Sequence, residues 1–96
     1  MDGLPPPKAL VLALEGNFVE NWRKWKLDFA FYMTAAEFAD KADNVKSSLL
    51  LHCMGDKARE VYHTLTFVAG EEMIYNKVVE KFDEYFIPRK NYILEI

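Results

Sequence analysis

The run Asn17-Phe-Val-Glu-Asn-Trp-Arg-Lys-Trp-Lys-Leu-Asp-Phe-Ala-Phe-Tyr32 sets two tryptophans and four other aromatic residues behind a helix-start signal. Asn17 followed three residues later by Glu20 reads as a capping-box-like pair that satisfies orphan amide donors. At about 100° per residue, Phe18, Trp22, Trp25, Phe29, Tyr32, Met33 and Ala36 fall in one stripe, the pattern of a helix laid on a core. The same arithmetic puts Leu27 and Phe31 on the opposite side, followed by Phe38 if the helix runs that far. A helix apolar on two faces is either sandwiched between layers or presents one face to a partner.

The rest of the chain continues the helical theme. A second helix is expected from near Asp40 or Asp43 through Met54, with Gly55 as its left-handed stop. Its leucines point all round, which makes it a central helix. Asp56 reads as the cap of a third helix in which Ala58, Val61, Tyr62, Leu65 and Ala69 share a face, ending at Gly70. A fourth is expected from about Glu71 to Phe86. It turns Tyr75, Val78, Val79, Phe82 and Phe86 inward, turns Asn76, Lys77, Glu80, Asp83 and Glu84 outward, and is stopped by Pro88. Asn91 resembles the cap of a fifth helix. The expected fold is therefore all-α, a small bundle of four to five helices over residues 17–96.

Residues 1–16 are different. Pro5, Pro6 and Pro7 favour polyproline geometry and forbid helix. After them Leu10, Leu12 and Leu14 alternate with Val11 and Ala13, as in an extended segment laying one face on something apolar. No second strand signal exists to pair with it. The expectation is an extended arm docked on helices, either its own or a neighbour's.

With 96 residues the chain is one small domain, of a size that buries only about 60 to 65 % of its unfolded surface. Its net charge of −3 argues against a free-standing nucleic-acid binder, which needs clustered excess Lys and Arg. A single cysteine, Cys53, excludes an internal disulfide and points to a reducing compartment. No stretch approaches the roughly 20 apolar residues of a membrane span, and the start lacks the pattern of a signal peptide. The expected location is the cytoplasm, with the nucleus also open.

Nothing in the chain reads as chemistry. His52 and Cys53 are neighbours and so about 100° apart on a helix, which keeps them from sharing one metal or forming a nucleophile pair. His63 has no ligand at helical spacing. Glu71 and Glu72 suit a helix N-terminus better than acid–base work. The sequence is accordingly read as that of a non-enzyme with no catalytic residue, cofactor or metal. Trp22 and Trp25 invite a base-stacking role beside Arg23 and Lys24, but their angular positions place them in the core stripe. Arg89 and Lys90 are the one locally basic pair near the end of the chain and the candidate contact for an anion.

Several of these pieces together resemble a known family. The arm Pro5-Pro6-Pro7-Lys8, the block from Gly16-Asn17 through Trp22 and Trp25 to Phe29 and Tyr32, and the stretch Lys46 to Leu50 before Gly55 are its first three parts. Tyr62, Tyr75 and Tyr85-Phe86-Ile87-Pro88-Arg89-Lys90-Asn91 complete it. In that order and spacing they look like the Gag polyprotein of gypsy-like retrotransposons, over nearly the whole chain. The resemblance implies an all-helical capsid N-terminal lobe that self-associates into shells. It also implies domesticated relatives such as the neuronal Arc protein, whose corresponding lobe binds short peptides in an apolar groove. Two departures are visible. The pattern's continuation past Asn91 into a second lobe is not seen in Tyr92 to Ile96, and the Cys and His zinc knuckle of many Gag proteins is missing. The chain is thus expected to be an excised or truncated lobe.

Three roles follow as expectations: an assembly lobe that binds itself or the second capsid lobe, an adaptor for extended peptides, and a dimerisation module resembling SCAN domains. The candidate partner contacts are Leu27, Phe31 and Phe38, with Glu20, Arg23 and Lys24 as a charged rim and Leu10 and Leu12 from the arm. The competing structural reading covers Leu27, Phe31 and Phe38 with the arm or with another helix of the same lobe.

Overall fold

The computed structural model describes residues 5–10 and 18–87. Four helices carry the regular structure of these residues, and no strand occurs among them: α1 (Phe18–Ala35), α2 (Asp43–Met54), α3 (Asp56–Tyr62) and α4 (Tyr75–Phe86). The fold is all-α, as the periodicity implies. α2 packs on α3 and α4, and α1 packs on α4.

The core is built around α1. Trp22, Trp25, Phe29 and Met33 are buried along one stripe, joined by Ala36 just past the helix end, as the 3.6-residue period requires. Phe18, at the first helical position, lies beyond the end of that core and is exposed. From α4, Val78, Phe82 and Phe86 meet the stripe. The rings form a continuous chain. Trp25 stacks on Phe29 at 5.2 Å, while Trp22 touches Phe82 at 5.8 Å and Phe86 at 5.2 Å. Offset contacts of this kind add to the area that the rings bury.

α1 stops at Ala35, earlier than a stripe continuing to Phe38 implies. Glu37 takes a left-handed conformation, φ 67°. The amide of Phe38 donates to the carbonyl of Met33 at 2.7 Å, and that of Glu37 to Thr34 at 3.2 Å. These two bonds form a Schellman stop with Glu where Gly is usual. The turn folds Phe38 back against Tyr32, ring centroids 6.2 Å apart, and leaves it half-buried against the core.

α2 begins at Asp43, with Ala42 in the cap position and no side-chain cap. Leu50 is buried and Leu49 and Leu51 are partly buried on either side of it, the signature of a central helix. α2 ends at Gly55, φ 101°. α3 starts on the next residue, so Gly55 occupies the cap position that Asp56 was expected to fill. Arg59 on α3 ties the corner together by donating to the carbonyls of Leu51 at 3.0 Å and His52 at 3.2 Å, and it pairs with Asp56. A cation on the last carbonyls of a helix is favoured by the dipole.

α3 ends at Tyr62 rather than Gly70. Thr64, Thr66 and Val68 are β-branched and disfavour helix. The hydroxyl of Thr64 instead donates to the carbonyl of Val61 at 2.7 Å in a turn. Leu65 and Phe67 still pack against the core, but from an irregular segment. α4 correspondingly begins at Tyr75 and not at Glu71. The carbonyls of Glu72 and Met73 are taken by side chains, the hydroxyls of Tyr62 at 2.7 Å and of the fully buried Ser47 at 3.0 Å. Asp43 accepts the amide of Tyr75 at 3.4 Å, so α2 supplies a carboxylate to the start of α4. The Asn17 cap, the Pro88 stop and the helix expected at Asn91 lie outside the described residues.

Candidate interaction site on the first helix and the arm

The arm is held in cis through residues 5–10. The indole N–H of Trp25 donates to the carbonyl of Lys8 at 2.5 Å, and the amide of Leu10 donates to the carbonyl of Met54 at 3.1 Å. Leu10 is buried in the main core, 7 % exposed, while its neighbours Lys8 and Ala9 are exposed. Ala9 crosses the α2–α3 corner so closely that a Cβ on Gly55 would sit 3.0 Å from that of Ala9. Within residues 5–10, one anchoring side chain and two hydrogen bonds to main-chain atoms therefore seat the arm, and a side chain at Gly55 would press on Ala9 and force it to shift.

Between the arm and α1 runs a groove of about 660 Å³, walled by Pro5 and Pro7 on one side and by Lys24, Asp28, Phe31 and Tyr32 on the other. Phe31 is 64 % exposed and Leu27, one turn earlier, is 56 % exposed. The described arm residues border Phe31 without burying it. Glu20, Arg23 and Lys24 lie exposed on the same helix.

The expected partner residues are therefore only partly brought together. Leu27 and Phe31 share one exposed face, with Lys24 beside them on the groove. Phe38 is separated from this face because α1 ends before reaching it, and it packs inward. Leu10 is likewise part of the core rather than of a free surface. Leu12, Arg89 and Lys90 lie outside the described residues.

Burial pushes the thiol of Cys53 up from its ordinary range, away from the thiolate that nucleophilic and metal chemistry require. Among the described residues, no group of three or more His, Cys, Asp or Glu side chains is arranged to hold a metal ion, and no helix is long and apolar enough to cross a membrane. The aromatic chain of the core leaves neither tryptophan face open for a base, since Trp22 is fully buried and Trp25 is 6 % exposed.

Two features escape a sequence reading. Asp83, placed outward by the helical period, accepts both the indole N–H of Trp22 and the ammonium of Lys26, each at 2.7 Å. A buried tryptophan needs an acceptor for its N–H, and that need is the one available hint. The arm's seat at Gly55 has no sequence signal beyond the glycine itself. No family model, curated protein or solved structure matches the chain.

Proposed function

We propose that this chain is a non-enzymatic assembly lobe of the retrotransposon Gag capsid type, acting in the cell interior and associating with copies of itself or with a second capsid lobe. The observation that carries the reading is the outward face of α1, where Leu27 and Phe31 stand 56 % and 64 % exposed on a helix whose other face is the centre of the core. Adjacent large apolar side chains on an ordered helix are favoured where a partner removes them from water. The rim of Glu20, Arg23 and Lys24 supplies charge that selects the partner. Shell-type contacts need only modest strength each, because repetition multiplies them.

The test is the molar mass in solution by light scattering over a wide range of concentration, at low and high salt. Mass that climbs with concentration in the native chain, and stays at the monomer in Phe31→Asp, supports the assembly lobe. A native chain that remains monomeric throughout removes self-association and leaves pairing with a second capsid lobe as the form of assembly.

A second reading is favoured by the groove itself. Its walls combine proline rings, an exposed phenylalanine and the charged Lys24 and Asp28, which suits an extended apolar peptide. On this reading the lobe is an adaptor. Saturable binding of short proline-containing peptides to a strictly monomeric protein, lost in Phe31→Asp, would select it over assembly.

A further inference from the structure

We propose that two copies of this chain associate by exchanging their arms, residues 5–10 of one copy occupying the seat on α1 and the α2–α3 corner of the other. The proposal rests on the assembly reading above and specifies its contact.

Both hydrogen bonds use main-chain atoms of the arm, the carbonyl of Lys8 and the amide of Leu10. Among residues 5–10 the one side chain deeply buried is Leu10. Everything on the receiving side belongs to the lobe: the indole of Trp25, the carbonyl of Met54 and the bare corner at Gly55. An arm from a second copy presents the same atoms in the same order, so exchange costs none of the contacts that residues 5–10 make in the closed form. This equivalence is why swapping an identical element is an inexpensive route to a dimer.

The sequence permits the exchange. Seven residues, 11–17, separate Leu10 from Phe18. The eight steps from Leu10 to Phe18 reach at most about 26–29 Å, comparable with the width of a small lobe. Pro5, Pro6 and Pro7 restrict the free arm, and a restricted arm loses less freedom on docking than a flexible one.

The groove supplies the bias towards the exchanged form. In the closed form Pro5 and Pro7 face Phe31 across open space, and Phe31 and Leu27 remain in water. Exchange tethers a second lobe beside this face, and the exposed residues of the two copies are then held at high effective concentration. The closed form makes the same arm contacts without that opportunity. Exchange is therefore favoured as concentration rises, and the closed monomer prevails on dilution.

The test uses the full native chain. One sample carries ¹⁵N and the other ¹³C. The two are unfolded together, refolded as an equal mixture and concentrated. Isotope-filtered nuclear Overhauser spectra then ask whether the ¹⁵N-bound indole proton of Trp25 sees ¹³C-bound protons of Lys8 or Ala9, which can come only from the other copy. Cross-copy signals that grow with the associated fraction are the expected result. An associated protein whose Trp25 sees the arm of its own copy alone overturns exchange and leaves the assembly reading standing. A protein that stays monomeric at every concentration overturns both exchange and self-association.

Discussion

The indole N–H of Trp22 is bonded to the carboxylate of Asp83 at 2.7 Å, across 61 positions of sequence. The same carboxylate oxygen takes the ammonium of Lys26 at 2.7 Å, and that ammonium lies 5.5 Å from the centre of the Trp22 ring. One acidic side chain on α4 thus fixes the orientation of α1. Asp83→Ala leaves the donor of a fully buried tryptophan without its acceptor, and we expect a loss of about 1–3 kcal/mol in denaturant unfolding. Lys26→Met should cost under about 1 kcal/mol, because the ion pair is about a third exposed on each side and open to screening. A neutral Asp83→Ala would mean that the bond contributes nothing.

Trp25 has two duties that substitution can separate. Trp25→Phe keeps a ring against Phe29 but removes the donor to Lys8, and should cost about 1 kcal/mol. The amide of Leu10, bonded to Met54, should then exchange with solvent faster while the amides of α4 hold their protection. Trp25→Ala opens a cavity in the core stripe and should cost about 3–5 kcal/mol, enough to unfold a marginal lobe.

Phe31→Asp is expected to leave unfolding free energy within about 0.5 kcal/mol of the native chain, as for other surface positions. The associated fraction seen by light scattering should fall to nothing. Melting as severe as that of Trp25→Ala would place Phe31 in the core instead.

Glu37 occupies a left-handed position at φ 67° that glycine adopts without strain. Glu37→Gly should therefore stabilise the lobe by about 0.5–1 kcal/mol, the strain relieved exceeding the flexibility added to the unfolded chain. Thermal melting of the two proteins decides it, and a lower midpoint for Glu37→Gly would contradict the expectation.

Burial pushes the hydroxyl of Tyr75 up to about 12 from its ordinary value of 10.0. The folded value lies above the unfolded one, so the stabilisation linked to this group is intact below pH 10 and is lost as pH rises towards 12. Tyr62 adds in the same direction, raised by burial and then by the nearby Glu72. Tyr75→Phe keeps the ring beside the ammonium of Lys46. It should flatten the alkaline fall in stability and remove a late-ionising group from the tyrosinate titration. An unchanged titration would show that Tyr75 is not the late group.

The stripes of α1 and α4 were legible because burial there follows the 3.6-residue period: Trp22, Trp25, Phe29 and Met33 on one helix, Val78, Phe82 and Phe86 on the other. The exposed pair Leu27 and Phe31 was legible by the same geometry. The end of α3 was not, because Leu65 and Phe67 are apolar and packed yet held in an irregular segment by Thr64 and by side chains that capture carbonyls. Phe38 misled for a related reason. Its place depends on a left-handed Glu37, a conformation that sequence assigns first to glycine or asparagine. Of the candidate site, the helix face could be read ahead. The seat of the arm could not, since it depends on the carbonyl of Met54 and on the space over Gly55.

The pairing of α1 with α4 bears on how the lobe comes into being. During synthesis Trp22 and Trp25 leave the ribosome well before Phe82, Asp83 and Phe86. The corner that receives Leu10 also does not exist until Met54 and Gly55 have emerged. The aromatic stripe of α1 is thus made before the α4 residues that cover it, so a growing chain that stops short of α4 leaves Trp22 without Phe82, Phe86 and its acceptor Asp83. The core of this lobe accordingly closes only once α4 has emerged, and until then the nascent aromatic stripe is exposed apolar surface of the kind that chaperones cover.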